Sequence, residues 1–438
     1  MIIQIAQVML SLMLLVMLHE YGHYITARIF GVRVERFFVF FDVKFAIWKK
    51  KIGDTLYGIG WLPLGGYVKL AGMIDESMDT EQMKQEPQPW EFRTKPAWQR
   101  LIIMLGGIIV NILLAILIFW VMLMKNGETY IDVQKMQYGL TVDSTQVKLG
   151  LKKGDIPIGV DHIKYNSLQE IAKESMLGGK SLEVLRNGEE VSLPITKEFS
   201  KKILEYKGSF YTPDFPFIID SVVANSNAEN AGIIKGDRIT GIDGRTIHTF
   251  ADFNDWINKY KGQNVTISVM RNSKEIELMA KVDQKGKLGI LTTPDNTYLK
   301  GLVNQQDLGV FGSLKEGVTR TFSSVFTQMR GLKTVATTEG GRKQVAGPIG
   351  MVKQMPTTWN WDFFWNFTAV ISAWLAFINL LPIPALDGGH AVFALYEMIS
   401  GRKPSDKLLE KAQMVGAIIL LGLMVFILGN DIFNLFSK

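Results

Sequence analysis

Four stretches of the chain carry almost no polar side chains. The first runs from Ile2 to about Phe30 and is most apolar before residue 19; the second is "LIIMLGGIIVNILLAILIFWVMLM", Leu101 to Met124. The third runs from Phe363 to Ile399 and the fourth from Met414 to Gly429. A helix of about 20 apolar residues is enough to cross a bilayer, so the pattern predicts four transmembrane helices. The third stretch is too long for one straight span, and Pro382, Pro384, Gly388 and Gly389 interrupt it.

Between the second and third stretches the pattern changes to short alternating runs, and it repeats. "LGLKKGD" at 149–155 returns as "AGIIKGD" at 231–237, and "RNGEEVSLPI" at 186–195 returns as "RNSKEIELMA" at 271–280. The similar offsets predict one fold of about eighty residues occurring twice. Its strands, Gly-Asp turn and single helix "FADFNDWINKY" resemble a PDZ domain, more fully in the second copy than in the first. Beyond the repeat, Phe311, Leu314, Val318, Phe322, Phe326, Met329 and Leu332 recur at helical spacing among Lys315, Arg320, Arg330 and Lys333. This predicts an amphipathic helix, lying on the outer membrane surface or packed on the outer domains. "WNWDFFWNF" at 359–367 suits the aromatic belt of a membrane interface.

Composition supports the membrane reading. Of 438 residues, 47% are hydrophobic, and the mean hydropathy is +0.13 despite 21% charged residues. The net charge of +6 comes from dispersed Lys and Arg without a basic block, which argues against a nucleic-acid partner. Arg28, Arg33, Arg36, Lys49, Lys50 and Lys51 follow the first span, and Arg402, Lys403 and Lys407 follow the third. Positive residues favour the cytoplasmic side, so both termini and the segment from about Lys125 to Asp362 are expected outside. Nothing before His19 is charged and no A-x-A-like site follows, so the first stretch reads as a retained helix rather than a signal peptide.

The absence of cysteine removes disulfides, thiolate ligands and cysteine nucleophiles. A transition metal must then be held by histidine and carboxylate. The five histidines are His19, His23, His162, His248 and His390. Two of them form H-E-x-x-H, His19-Glu20-x-x-His23, at the end of the first apolar run. Residues four apart share one helix face, so both imidazoles can reach one metal ion, with Glu20 placed to act on a water there. Ionisable groups at membrane depth face a cavity or a partner. Two histidines and a water leave a tetrahedral zinc one ligand short. Asp387, at the proline break of the third stretch, is a carboxylate in need of a cation; a helix-capping role is its alternative. His390 suits an edge or supporting position. These donors do not exclude other divalent ions.

Hydrolysis inside a membrane also needs an unwound substrate whose backbone is paired. Tyr67, Val68, Lys69 and Leu70, approached through Gly65 and Gly66, can form a strand edge that adds a substrate strand near the metal. In the second span, Gly107 and Asn111 read as ordinary helix packing, with Ile108 between them.

H-E-x-x-H in a first span, N-x-x-P-x-P-x-L-D-G in a later one (Asn379, Pro382, Pro384, Leu386, Asp387, Gly388) and PDZ-like domains between resemble the site-2 intramembrane metalloprotease family. The paired PDZ-like copies resemble its bacterial RseP type, and the resemblance covers essentially the whole chain. It implies that His19, His23 and Asp387 bind Zn²⁺, that Glu20 is catalytic, and that Asn379 holds the substrate or stabilises the oxyanion. "LPLGGYVK" resembles the family's membrane-reentrant β-hairpin, and Gly107 with Asn111 resembles a family motif near the active site, where Ile108 replaces a frequent proline.

The expected fold is an α-helical polytopic membrane protein with two extracytoplasmic PDZ-like α+β domains and a membrane-associated β-hairpin. Its segments are TM1 at 1–31, a cytoplasmic or reentrant β region at 32–97, TM2 at 98–124, PDZ-like copies at 125–205 and 206–296, an amphipathic linker at 297–361, TM3 at 362–399, a cytoplasmic loop at 400–411 and TM4 at 412–438. The expected activity is zinc-dependent endoproteolysis in the bacterial inner membrane. The expected substrates are single-span proteins already trimmed outside by an upstream site-1-type protease, including anti-sigma factors and remnant signal peptides. Two rivals are a membrane-anchored PDZ scaffold with a vestigial metal site and a peptidase acting on soluble peptides at the membrane surface. The first has no need of Glu20, and the second no need of Asp387.

Overall fold

The computed structural model describes residues 1–62, 65–73, 85–206, 209–292, 297–338 and 347–436. The chain divides into two compact units. One comprises Met1–Gly127, Asp307–Ala336 and Gly340–Lys438; the other comprises Glu128–Gln306 and Thr337–Glu339.

The first unit is built on helices. In chain order, helix α1 (Ile2–Ile29) leads into strands β1 (Val34–Val39), β2 (Phe41–Ile52), β3 (Thr55–Leu62) and β4 (Tyr67–Leu70), followed by α2 (Ala97–Asn126). After the second unit come α3 (Gly309–Thr337), α4 (Pro348–Gln354), α5 (Trp361–Leu380), α6 (Asp387–Ser400) and α7 (Asp406–Phe436). Among the described residues, four helices are long and apolar enough to cross a membrane: α1, α2, α5 and the Lys407–Phe433 part of α7. A helix satisfies its own backbone hydrogen bonds, which is why such sequences take this form in hydrocarbon.

Small and polar residues draw these helices together. At the α1–α2 crossing, Gly22 and Gly106 bring backbone against backbone: a Cβ on Gly22 would lie 2.4 Å from the Gly106 carbonyl oxygen. Ser11 Oγ of α1 meets Thr368 Oγ1 of α5 at 2.9 Å, and Ser372 of α5 donates to the Asn111 carbonyl of α2 at 2.8 Å. The third apolar stretch is two helices, α5 and α6, as its prolines require: Pro382 and Pro384 lack the N–H that a helix needs. Gly388 then lets the first turn of α6 fold back on the end of α5, since a Cβ there would lie 2.4 Å from the Leu380 carbonyl oxygen.

The four strands form one mixed sheet in the order β2-β3-β1-β4. β2 and β3 make a hairpin, β1 runs parallel to β3, and β4 runs antiparallel to β1 with Phe38 opposite Tyr67. Because β2 and β1 occupy both edges of β3, "LPLGGYVK" is not a hairpin between adjacent strands; Pro63 and Leu64 lie outside the described residues. β4 crosses to the far side of β1, and among the described residues no further strand pairs with its other edge. A buried cluster of Ala27, Val34, Leu70, Ile103 and Met104 packs this end of the sheet on α1 and α2.

The second unit contains the repeat. Strands 156–160, 163–164, 181–186 and 189–194 form a four-stranded sheet, and 238–242, 245–246, 264–271 and 274–281 form another with the same strand order. Each copy also has a two-stranded pairing, Leu140–Thr141 with Thr212–Pro213 and Ser221–Val222 with Ile290–Leu291. Each has a helix, Leu168–Met176 or Phe250–Ile257, and its own hydrophobic core. The repeated sequence motifs form the same ion pair in both copies, with its Asp buried. Arg186 grips Asp155 through Nε at 2.8 Å and Nη2 at 2.7 Å, and Arg271 grips Asp237 at 2.7 Å through both nitrogens.

Candidate active site

Helical spacing places His19 and His23 on one face of α1, one turn apart. Their Nε2 atoms lie 3.3 Å from each other. Asp387, in the first turn of α6, brings Oδ2 to 3.1 Å from His19 Nε2 and 3.3 Å from His23 Nε2. These three residues are the one His/Asp/Glu group among the described residues arranged to hold a metal ion.

The triangle can be tested against zinc. Zinc–ligand bonds of about 2.0–2.1 Å in a tetrahedron put ligand atoms about 3.3–3.4 Å apart, close to the edges found. Asp387 Oδ2 is buried without a hydrogen bond among the described residues. His23 Nδ1 lies 2.9 Å from the Ile103 carbonyl oxygen. A carbonyl only accepts, so the proton sits on Nδ1 and the Nε2 lone pair faces the triangle. The donor set fits zinc.

A cavity of about 970 Å³ opens at this triangle, and His19, Glu20, His23 and Asp387 line it. So do Asn379 and the whole run Gly66, Tyr67, Val68, Lys69 and Leu70. Asn379, in the last turn of α5, has Nδ2 3.3 Å from His19 Nε2. Gly66 brings the chain close to Glu20: a Cβ on Gly66 would lie 3.3 Å from Glu20 Cγ and 2.7 Å from the Phe38 carbonyl oxygen. His390 lines the same cavity, whereas His162 and His248 belong to the second unit.

Three polar residues at the cavity were given no role in the site by sequence reasoning. Arg36 and Asp42 come from β1 and β2, and Gln413 from α7. Gln413 is buried and lines the cavity. A lone Gln in the polar lead-in to an apolar helix carries no local signal of this position. Asn111, read as a packing residue, also lines the cavity, and its Nδ2 lies 3.3 Å from His19 Nδ1.

Comparison with known proteins agrees with this chemistry. The chain is 27% identical to the "Regulator of sigma E protease" of Haemophilus influenzae, over 97% of this chain and 98% of the relative. It is 28% identical to a "Putative zinc metalloprotease" of Vibrio cholerae, over 96% of each chain. It is 26% identical to the "Regulator of sigma-E protease RseP" of Salmonella typhimurium, over 99% of this chain and 98% of the relative. Residues 7–423 match peptidase family M50. The chain therefore belongs to peptidase family M50, the site-2 protease family, and is a zinc-dependent metalloprotease.

Proposed function

We propose that this metalloprotease hydrolyses peptide bonds within or near the transmembrane segments of single-span proteins. The observation that carries the reading is the His19–His23–Asp387 triangle, set among helices able to cross a bilayer and opening on the edge strand β4. His19, His23 and Asp387 hold the zinc, which supplies Lewis acidity to a water and to the scissile carbonyl. Glu20 takes the proton from the attacking water and delivers it to the leaving amine. Asn379 directs its amide N–H toward the oxygen where negative charge develops. An unwound substrate adds as a strand to β4, so that Tyr67 to Leu70 pair its backbone beside Glu20.

Four membrane helices, the Lys/Arg distribution and relatives named as regulators of sigma E support further assignments. The protein resides in the bacterial inner membrane, with its termini and the second unit on the outer side and its active site toward the cytoplasm. The two copies in the second unit are PDZ-like and screen substrates already shortened by an upstream protease. The repeated strand order, with a helix between the second and third strands of each four-stranded sheet, supports this. Anti-sigma factors and remnant signal peptides are the substrate classes. The α3 helix exposes Phe311, Phe322, Phe326 and Leu332, which suits contact with the outer leaflet.

The test is cleavage of a trimmed single-span substrate in detergent by the parent protein and by Glu20→Gln, with zinc measured in both. Cleavage by the parent alone, at about one zinc per chain in each, supports the assignment. Equal cleavage by both proteins places the chemistry elsewhere. A parent that cleaves soluble peptides but no membrane-embedded substrate overturns the intramembrane reading.

A further inference from the structure

Both histidines of the triangle rest on one stripe of α2. Ile103, Gly107 and Asn111 stand at successive intervals of four residues and face α1. The Ile103 carbonyl oxygen lies 2.9 Å from His23 Nδ1. Gly107 leaves room for both imidazoles: a Cβ there would fall 2.5 Å from His23 Nε2 and 2.7 Å from His19 Nδ1. Asn111 ends the stripe at His19. It is fully buried, its Nδ2 is 3.3 Å from His19 Nδ1, and its Oδ1 is buried without a hydrogen bond among the described residues.

A neutral histidine that offers Nε2 to a metal carries its proton on Nδ1, and that proton needs an acceptor. The amide nitrogen of Asn111 is a donor and cannot serve. The amide oxygen can, and a half-turn about the last side-chain bond exchanges the two atoms within the same envelope. We propose that Asn111 is a positioning residue for zinc: its Oδ1 accepts the His19 Nδ1–H, fixing the tautomer and the plane of the ring so that Nε2 points at the Asp387–His23 edge. Helix α2 thus contributes no ligand yet orients both imidazoles, His23 through a backbone carbonyl and His19 through a side-chain amide. Ser372 steadies this from α5 by donating to the Asn111 carbonyl oxygen. The inference rests on His19 and His23 being zinc ligands.

Zinc affinity, read without any substrate, tests it. The full-length protein in detergent is equilibrated with chelator-buffered zinc, and occupancy is measured for the parent and for Asn111→Leu, Asn111→Ala, Asn111→Asp and His19→Ala. Leucine fills the space without an acceptor, and alanine guards against misfolding caused by the larger side chain. Both are expected to bind zinc about 10–100-fold more weakly than the parent. Asn111→Asp keeps an acceptor for Nδ1–H and is expected to bind at least as tightly as the parent. Cobalt substitution gives a second readout: the visible spectrum should change in the leucine variant and persist in the aspartate variant. Parent-like affinity in Asn111→Leu and Asn111→Ala, or equal losses in these and Asn111→Asp, overturns the proposal in favour of helix packing. Parent-like affinity in His19→Ala overturns the ligand assignment itself, a result distinct from the failure of Asn111 alone.

Discussion

Asp387 Oδ2 on α6 lies 3.1 Å from His19 Nε2 on α1. Helices from opposite ends of the chain therefore meet at one carboxylate oxygen, and that oxygen has no hydrogen bond among the described residues. A buried carboxylate without donors is costly unless a cation neutralises it. Asp387→Asn removes the charge while keeping the shape. It is expected to lower zinc affinity by more than about 100-fold, beyond the loss typical of a residue that only supports a ligand. Zinc content after dialysis against a chelator checks this, and parent-like content would remove Asp387 from the ligand set.

Gly66 sets how closely β4 approaches Glu20. With a Cβ, residue 66 would stand 2.7 Å from the Phe38 carbonyl oxygen and 2.8 Å from Val16 Cγ1, closer than real contacts allow. Gly66→Ala must therefore push the strand edge away from the catalytic face. A displacement of about 1 Å at such a site can cost on the order of 100-fold in rate. Cleavage of a membrane-embedded substrate is expected to fall at least tenfold on that basis, while zinc content stays at the parent value. An unchanged cleavage rate would show that the edge strand β4 does not hold the substrate.

What was legible in the sequence follows from the range of each interaction. The spacing of His19 and His23 is a property of a single helix, so it could be read directly. The break at Pro382 and Pro384 is equally local, and the placement of Asp387 beside the histidines follows from the cost of an unpaired carboxylate at membrane depth. The strand Tyr67–Leu70 was legible with its bounds, but its partner was not. That β4 pairs with β1 rather than β3 depends on β3 having both edges taken, which is a tertiary fact. Asn111 was placed near the site only by the resemblance, and Gln413 not at all, because a polar residue in an apolar helix signals only that something faces it. The repeat was visible through its Gly-Asp turn and Arg-Asn pair, and the structure gives the reason: the Asp and Arg of those motifs bind each other.

Asp431, near the end of α7, caps a helix from outside. Its carboxylate accepts the backbone N–H of Gly347 at 2.9 Å, Ile349 at 2.9 Å and Gly350 at 3.2 Å, at the first turn of α4. The first amides of a helix have no partner within it, so this side chain ties α7 to α4. Asp431→Ala leaves three donors unpaired and is expected to destabilise the protein by about 1–3 kcal/mol, the range for losing a charged hydrogen-bond acceptor. Asp431→Asn, which keeps one acceptor oxygen, should lose less. Thermal unfolding in detergent distinguishes them, and identical melting of all three proteins would dismiss the link.

The Asp237–Arg271 pair predicts acid sensitivity in the second repeat copy. Burial alone would raise the Asp237 carboxyl, but the hydrogen bonds from Arg271 and the backbone N–H of Ile234 outweigh it and hold the pKa below the ordinary carboxylate value. The folded pKa thus lies below the unfolded one, near 3.9 for Asp. The pair's stabilisation is complete above the unfolded value and is lost as pH falls through the folded value. Hydrogen exchange in strand 264–271 of the full-length protein, followed from neutral pH into acid, should show protection falling once corrected for intrinsic exchange rates. In Asp237→Asn, protection should already be low at neutral pH and change little with acid, because the group that titrates is gone. Parallel acid profiles in the two proteins would mean that another group governs the acid response of this copy.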